Sequence, residues 1–219
     1  MIRLYQFRIS PFCAKIRKIL EFKGLEYEAI EVDYVERKEL AIVSGQITVP
    51  VLTFDDGRAL VDSERIALAL EEAYPEPTLF PPTWRGLHLA LARYFDTELG
   101  EVLFRAAVPE ILAYYRRRGP DQVAFWRLIR ERKYGTGFIE QMIREHSANC
   151  SRARELLAPL DESLGHRPFL LGRIGYADFA LYGQLSYLAL GSHLAIATDL
   201  PNIRAFFERV DRMSSALET

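Results

Sequence analysis

The stretch Ser10-Pro11-Phe12-Cys13 sets a hydroxyl and a thiol one helical turn apart, directly after a short apolar run at residues 2–7. Ser-Pro at that point reads as an N-cap followed by a proline in the first helical position. Unpaired backbone N–H groups and the positive end of the helix dipole favour negative charge there, so a thiolate brought beside Ser10 would be stabilised. The plainer role for Ser10 is the cap alone, worth about 1 kcal/mol. Cys13 is either a nucleophile with a lowered pKa or a packed, inert thiol, and a C-x-x-C dithiol exchange lacks one of its two sulfurs. Val49-Pro50 begins a strand; a cis bond there would turn the Val49 N–H and C=O outward, toward a peptide-like ligand. Asp62-Ser63 opens a further helix. Ser63 reads as its N-cap, and the functional alternative is that Ser63 and the helix start hold a carboxylate while Asp62 receives an ammonium group, a pairing that fits an amino-acid zwitterion.

These three sites need elements to carry them, and the hydrophobic periodicity supplies the order. A strand at 2–7 leads to a helix from Pro11 to Gly24, whose apolar residues Phe12, Ile16, Ile19, Leu20 and Phe22 recur at helical spacing. A strand at 27–32, a short helical segment within 34–43, a hairpin around Asp55-Asp56-Gly57 and a helix from Ser63 to the residues before Pro75 complete a β-α-β-α-β-β-α unit. Residues 74–84 hold four of the eleven prolines and read as a stiff connector. Beyond it the pattern is helical throughout, with helices expected over about 85–118, 120–146, 147–164, 176–196 and 201–213, the first kinked at Pro109.

With 219 residues, 49% of them hydrophobic, the chain can bury a substantial core. A formal net charge of −2 supplies no field to attract nucleic acid or an anionic membrane. Two distant cysteines fit a reducing compartment, and residues 1–7 lack the features of a signal peptide, so a cytoplasmic protein is expected. The nearly uncharged stretch 177–197 contains Asp178, Gln184, Ser186, Ser192 and His193, and reads as a buried core helix rather than a membrane span. The four histidines have no ligand-like spacing, so no metal is expected.

In this order, a strand leading to S-P-F-C, V-P before a hairpin, D-S opening a helix, a proline-rich connector and an all-helical remainder closely resemble the glutathione transferase superfamily along the whole chain. The resemblance implies an α/β plus all-α protein: a thioredoxin-like glutathione-binding domain at 1–77, a linker at 78–84 and a helix bundle at 85–219 contributing an electrophile pocket. It implies glutathione as co-substrate. Val49, before a cis Pro50, would pair with its cysteinyl part, and Asp62 and Ser63 would hold the γ-glutamyl amine and carboxylate. Ser10 takes the position that is cysteine in omega-type members and serine in several other classes, and Cys13 matches the second cysteine of a C-P-F-C site. In tyrosine-type members the catalytic hydroxyl ends the first strand, where this chain has Gln6, with Tyr5 pointing to the other face. The family's capping box at a buried helix is kept in Asp178, with Ile174 and Phe179 at the staple positions, but the cap is Gly175 rather than Ser or Thr. The reading that follows is a detoxifying glutathione S-transferase that activates the thiolate at Ser10 for attack on a small hydrophobic electrophile, a homodimer by analogy, with neither nucleic acid nor membrane as partner. A glutathione-dependent reductase using Cys13 and a non-catalytic binding protein of the same fold are the competing readings.

Overall fold

The computed structural model describes residues 1–190 and 199–213. The first part is a four-stranded sheet in the order β2-β1-β3-β4, formed by β1 (Ile2–Gln6), β2 (Tyr27–Glu31), β3 (Val51–Thr53) and β4 (Ala59–Val61). β1 runs parallel to β2 and antiparallel to β3, and β3 pairs antiparallel with β4. Helix α1 (Pro11–Phe22) makes the crossover from β1 to β2, α2 (Lys38–Ser44) leads to β3, and α3 (Ser63–Ala73) follows β4.

The alternation along β1 assigns the two faces of the sheet. Ile2 and Leu4 join the main core with Ile16, Ile19 and Leu20 of α1, whereas Tyr5 joins a small cluster with Val32, Leu40 of α2 and Val51 on the opposite face. Tyr5 thus turns away from the main core, as its place in the strand requires, and Gln6 is buried with its Oε1 accepting from Arg17 Nη1 at 2.6 Å.

After the extended connector come α4 (Arg85–Tyr94), α5 (Gly100–Arg116), α6 (Pro120–Tyr134), α7 (Phe138–Arg144), α8 (His146–His166), α9 (Tyr176–Leu185) and α10 (Pro201–Asp211). The break expected at Pro109 lies elsewhere. α5 runs through Pro109, and the interruption is a π-helical turn at Phe95–Leu99, where one extra residue is accommodated without any proline. The single helix expected over 120–146 is two, α6 and α7, divided at Gly135 and Gly137, both with positive φ (98° and 80°). Of the helix expected over 176–196, α9 and a succession of turns to Leu190 are observed, and 191–198 lie outside the described residues.

α9 is buried all round, as a helix at the centre of a bundle must be. Its start rests on Asp178, whose Oδ2 accepts from Gly175 N–H and whose Oδ1 accepts from Leu170 N–H, both at 2.9 Å. Glycine at the cap leaves no oxygen for the first turn, and a histidine from another helix supplies the acceptor: Ala177 N–H donates to His88 Nδ1 of α4 at 3.3 Å. A Cβ on Gly175 would stand 2.4 Å from the His88 ring, so the histidine can take this place only because the cap is glycine.

Two buried ammonium groups, one in α1 and one at its C-cap, tie the parts together. Lys15 Nζ lies 2.5 Å from Asp96 in the π turn and 3.2 Å from the Tyr176 hydroxyl of α9. Lys23 donates to Glu71 of α3 at 2.8 Å and to the carbonyls of Tyr74 and Pro77 in the connector. Among the described residues no helix is long and apolar enough to cross a membrane.

Candidate active site

The strand register brings the three sequence motifs to one end of the sheet. Tyr5 of β1 pairs with Val51 of β3, and Val51 pairs with Val61 of β4. One residue beyond that row lie Gln6, Pro50 and Asp62, so the loop to Ser10, the Val49-Pro50 bond and the start of α3 share an edge.

Ser10 caps α1 in extended geometry (φ −69°, ψ 125°), and its own N–H donates to Phe7 O at 2.9 Å. The capping bond from Cys13 N–H to Ser10 Oγ is long, 3.4 Å, which leaves the hydroxyl weakly committed. Pro11 has no N–H to be satisfied at the helix start. Cys13, by contrast, is sealed. It is 0% exposed, and burial pushes its thiol up to about 11, against the opposing pull of the Ser10 hydroxyl and the Phe7 backbone.

The Val49-Pro50 bond is cis, and the Val49 backbone forms no hydrogen bond to another described residue. At α3 the cap is Asp62 rather than Ser63, correcting the sequence assignment: Asp62 Oδ1 accepts from the N–H groups of Glu64 and Arg65, each at 3.0 Å, and Ser63 is the first helical residue, 5% exposed. Serine would have been the expected cap, but the chain turns into the helix one residue earlier. Asp62 does so at φ +76°, the one positive φ outside glycine among the described residues. Such a backbone costs on the order of 1–3 kcal/mol and persists where a site needs it. Both capping bonds use Oδ1, so Oδ2 of this exposed carboxylate is free to face a ligand.

Ser10 and Val49 open onto a cleft of about 230 Å³, whose far wall is Tyr115 of α5, Trp126 and Arg130 of α6, and Tyr187 beyond α9. Pro50, Asp62 and Ser63 do not line this cleft but stand beside it at the sheet edge, and Cys13 lies beneath it. Burial pushes the Tyr187 hydroxyl up to about 12 and the Tyr115 hydroxyl higher still, the latter also through the neighbouring Tyr34, so both stay protonated donors at neutral pH. Arg37, before α2, also borders the cleft, packed 4.7 Å over the Tyr34 ring, 4.9 Å over Phe7 and 5.3 Å over Phe125. The sequence reading missed Arg37 and Arg130. Arg37 follows the helical segment's start with no motif around it, and Arg130 sits in a charged helix where its spacing looks like that of any solvated residue.

A sheet of this order with a cis-proline edge, joined to a helical bundle, defines a thioredoxin-like domain with an appended all-α domain. The family profile for the glutathione S-transferase N-terminal domain matches residues 4–78, and that for the C-terminal domain matches 144–209. The chain belongs to the glutathione transferase superfamily. A probable glutathione S-transferase of Nicotiana tabacum is 27% identical, the match covering 74% of this chain and 91% of that protein. A glutathione S-transferase crystal structure from Rhodospirillum rubrum F11 superposes with a TM-score of 0.73 at 26% identity, covering 97% of this chain and 88% of that one. The fold is shared more closely still with a Ceriporiopsis subvermispora glutathione S-transferase solved with glutathione, at a TM-score of 0.80 and 22% identity over 96% of this chain and 97% of that one.

Proposed function

We propose that the protein is a glutathione transferase that activates the glutathione thiol at Ser10. The observation that carries this reading is the meeting at one sheet edge of a weakly committed hydroxyl at a helix start, an unpaired Val49 backbone and the Asp62-Ser63 turn with a free carboxylate oxygen. Glutathione is a peptide-like zwitterion with a thiol between two carboxylate-bearing ends, and each part has a counterpart. Ser63 and the α3 start take the γ-glutamyl carboxylate, and Asp62 takes its ammonium. The Val49 N–H and C=O pair with the cysteinyl backbone, and Arg37 offers a guanidinium to the glycyl carboxylate.

The sulfur then lies at Ser10, where the hydroxyl and the α1 N-terminus favour the thiolate over the thiol. That thiolate attacks an electrophile held against Tyr115, Trp126 and Tyr187; a carbon–sulfur bond forms, the leaving group departs or the adduct takes up a proton, and the serine is unchanged. The protonated hydroxyls of Tyr115 and Tyr187 are suited to receive charge that develops on the electrophile. The complete burial of Cys13 and its raised pKa favour this reading over a reductase that needs an accessible Cys13 thiolate.

The experiment is calorimetric titration of reduced glutathione into wild type and Ser10→Ala, with the bound thiolate followed by its ultraviolet absorbance. Both proteins should bind glutathione, and only wild type should lower its thiol pKa well below the free value. Absence of glutathione binding to wild type removes the transferase reading at its first step.

A further inference from the structure

Arg130 is the cation of the cleft that no described residue pairs with as an ion. On the same helix Arg127 pairs with Glu131 at 3.5 Å and Glu140 at 2.5 Å, and on α5 Arg105 pairs with Glu101 at 2.9 Å. Arg130 has no carboxylate within ion-pair distance among the described residues, and its Nε is buried without a hydrogen-bond acceptor. Its guanidinium lies 4.7 Å over the Phe104 ring, a contact that holds the plane of the group without satisfying its N–H donors. It borders both the cleft that holds Ser10 and an adjoining cavity of about 540 Å³ reached past Phe12 and Tyr187. Asp96, Glu98 and Glu101 also line that cavity, none within ion-pair distance of Arg130, with Asp96 paired to Lys15 and Glu101 to Arg105.

The lining of the Ser10 cleft contains two guanidinium groups and no carboxylate. Arg37 is partly engaged, donating to the carbonyls of Tyr34 at 2.9 Å and Ile47 at 3.1 Å, and stands on the Val49 side. Arg130 stands on the helical wall. Arg130 is half-buried with its Nε shielded from solvent and unsatisfied, so a ligand carboxylate can supply the missing acceptor, and the planar fork suits that group.

We infer that Arg130 selects electrophiles that carry a carboxylate, so that the second substrate is an aromatic or unsaturated carboxylic acid rather than a neutral hydrophobe. This rests on the transferase reading, with glutathione's own carboxylates held by Ser63 and Arg37. It sharpens the sequence expectation of a small hydrophobic electrophile: Tyr115 and Trp126 would hold the apolar body and Arg130 the charged end. Arg130 is then a specificity residue, and Ser10 remains the group at the reacting sulfur.

The test is calorimetric binding of two glutathione conjugates, S-(4-carboxy-2-nitrophenyl)glutathione and its aryl methyl ester, to wild type, Arg130→Met and Arg130→Lys. A charge-assisted pair predicts that wild type prefers the carboxylate conjugate by about tenfold to a hundredfold. Arg130→Met should lose that preference, Arg130→Lys should keep part of it, and plain glutathione should bind all three proteins equally. Equal affinity of wild type for the two conjugates overturns the inference, as does an Arg130→Met variant that weakens plain glutathione as much as the acid conjugate, since the arginine then serves glutathione itself.

Conjugates that bind selectively while 4-fluoro-3-nitrobenzoate and glutathione show no catalysed turnover would remove the transferase activity but keep the anion site. If glutathione itself fails to bind, 3-nitrobenzoate is compared with methyl 3-nitrobenzoate by saturation-transfer NMR. Selectivity in wild type that Arg130→Met loses sustains the inference, and its absence ends it.

Discussion

The two walls of the cleft are made in different ways. The α/β side is a set of element ends: the cap of α1 and Val49 before β3 line the cleft, and the cap of α3 stands beside them, brought into the same row by the sheet register. Much of what it offers a ligand is backbone, and its geometry depends on hydrogen bonds that any sequence of suitable turn residues can make. The helical wall is made of side chains, Tyr115, Trp126, Arg130 and Tyr187, from three separate segments. A wall of backbone suits a partner that does not change, and a wall of side chains can be rebuilt by substitution. The difference explains why glutathione is the inferable ligand and the electrophile the variable one.

The strongest way to break the comparison is at the joint between the walls. α9 crosses the start of α1 so closely that a Cβ on Gly183 would lie 2.4 Å from the carbonyl oxygen of Pro11, a backbone atom with little freedom to yield. Gly183→Val should destabilise the protein by about 3 kcal/mol or more, as overpacking against backbone does. Because the displaced residue adjoins Ser10, glutathione affinity should fall along with the denaturant midpoint. A variant of wild-type stability would mean that the two walls are less tightly joined than the contact requires.

Within the α/β wall, Ser10→Ala should lower kcat for conjugation by about tenfold to a hundredfold, the equivalent of one hydrogen bond to a charged group. Its cost in stability should be under about 1 kcal/mol, because the capping bond it removes is already long at 3.4 Å. A large loss of stability with activity retained would make Ser10 a cap and nothing more. Asp62→Asn makes a smaller and more selective change. Asparagine caps a helix as well as aspartate does, so thermal stability should hold, while loss of the charge opposite the γ-glutamyl ammonium should raise the KM for glutathione about tenfold. Unchanged KM would place the ammonium elsewhere.

The same division decides what could be read in the sequence. Ser10-Pro11, Val49-Pro50 and Asp62-Ser63 are local signals, because a cap, a strand start and a helix start are each specified by two or three adjacent residues. Hydrophobic period reveals the order of elements, and the convergence of the three motifs on one site was what the family resemblance implied. Arg130 carries no such signal: its isolation from carboxylates is a property of the folded neighbourhood, and in sequence it is one arginine among several on α6. The π turn at Phe95–Leu99 was equally hidden, since it holds no glycine or proline to interrupt the helical pattern and only the contact of Asp96 with Lys15 marks it in the fold. His88 was the reverse case. Its sequence context suggested no role, yet it replaces the cap that Gly175 lacks.

The smallest effect separates Ser10 from its neighbour in the same turn. Cys13→Ala should leave kcat and KM for conjugation within about twofold, because the thiol is sealed from the cleft, and should cost about 1 kcal/mol of stability through lost packing. It should also change how stability depends on alkaline pH. The folded thiol is raised from 9.0 to about 11, so between those values the unfolded chain releases a proton that the folded chain keeps. The native state therefore loses stability as pH rises above 9.0 toward 11, and the contribution is fully present below 9.0. Denaturant midpoints at about pH 8 and about pH 10.5 should converge more closely in Cys13→Ala than in wild type. If Cys13→Ala instead abolished turnover while the alkaline slope stayed the same, the thiol would be exposed and reacting, and the division of labour between the hydroxyl at the helix start and the thiol beneath it would be reversed.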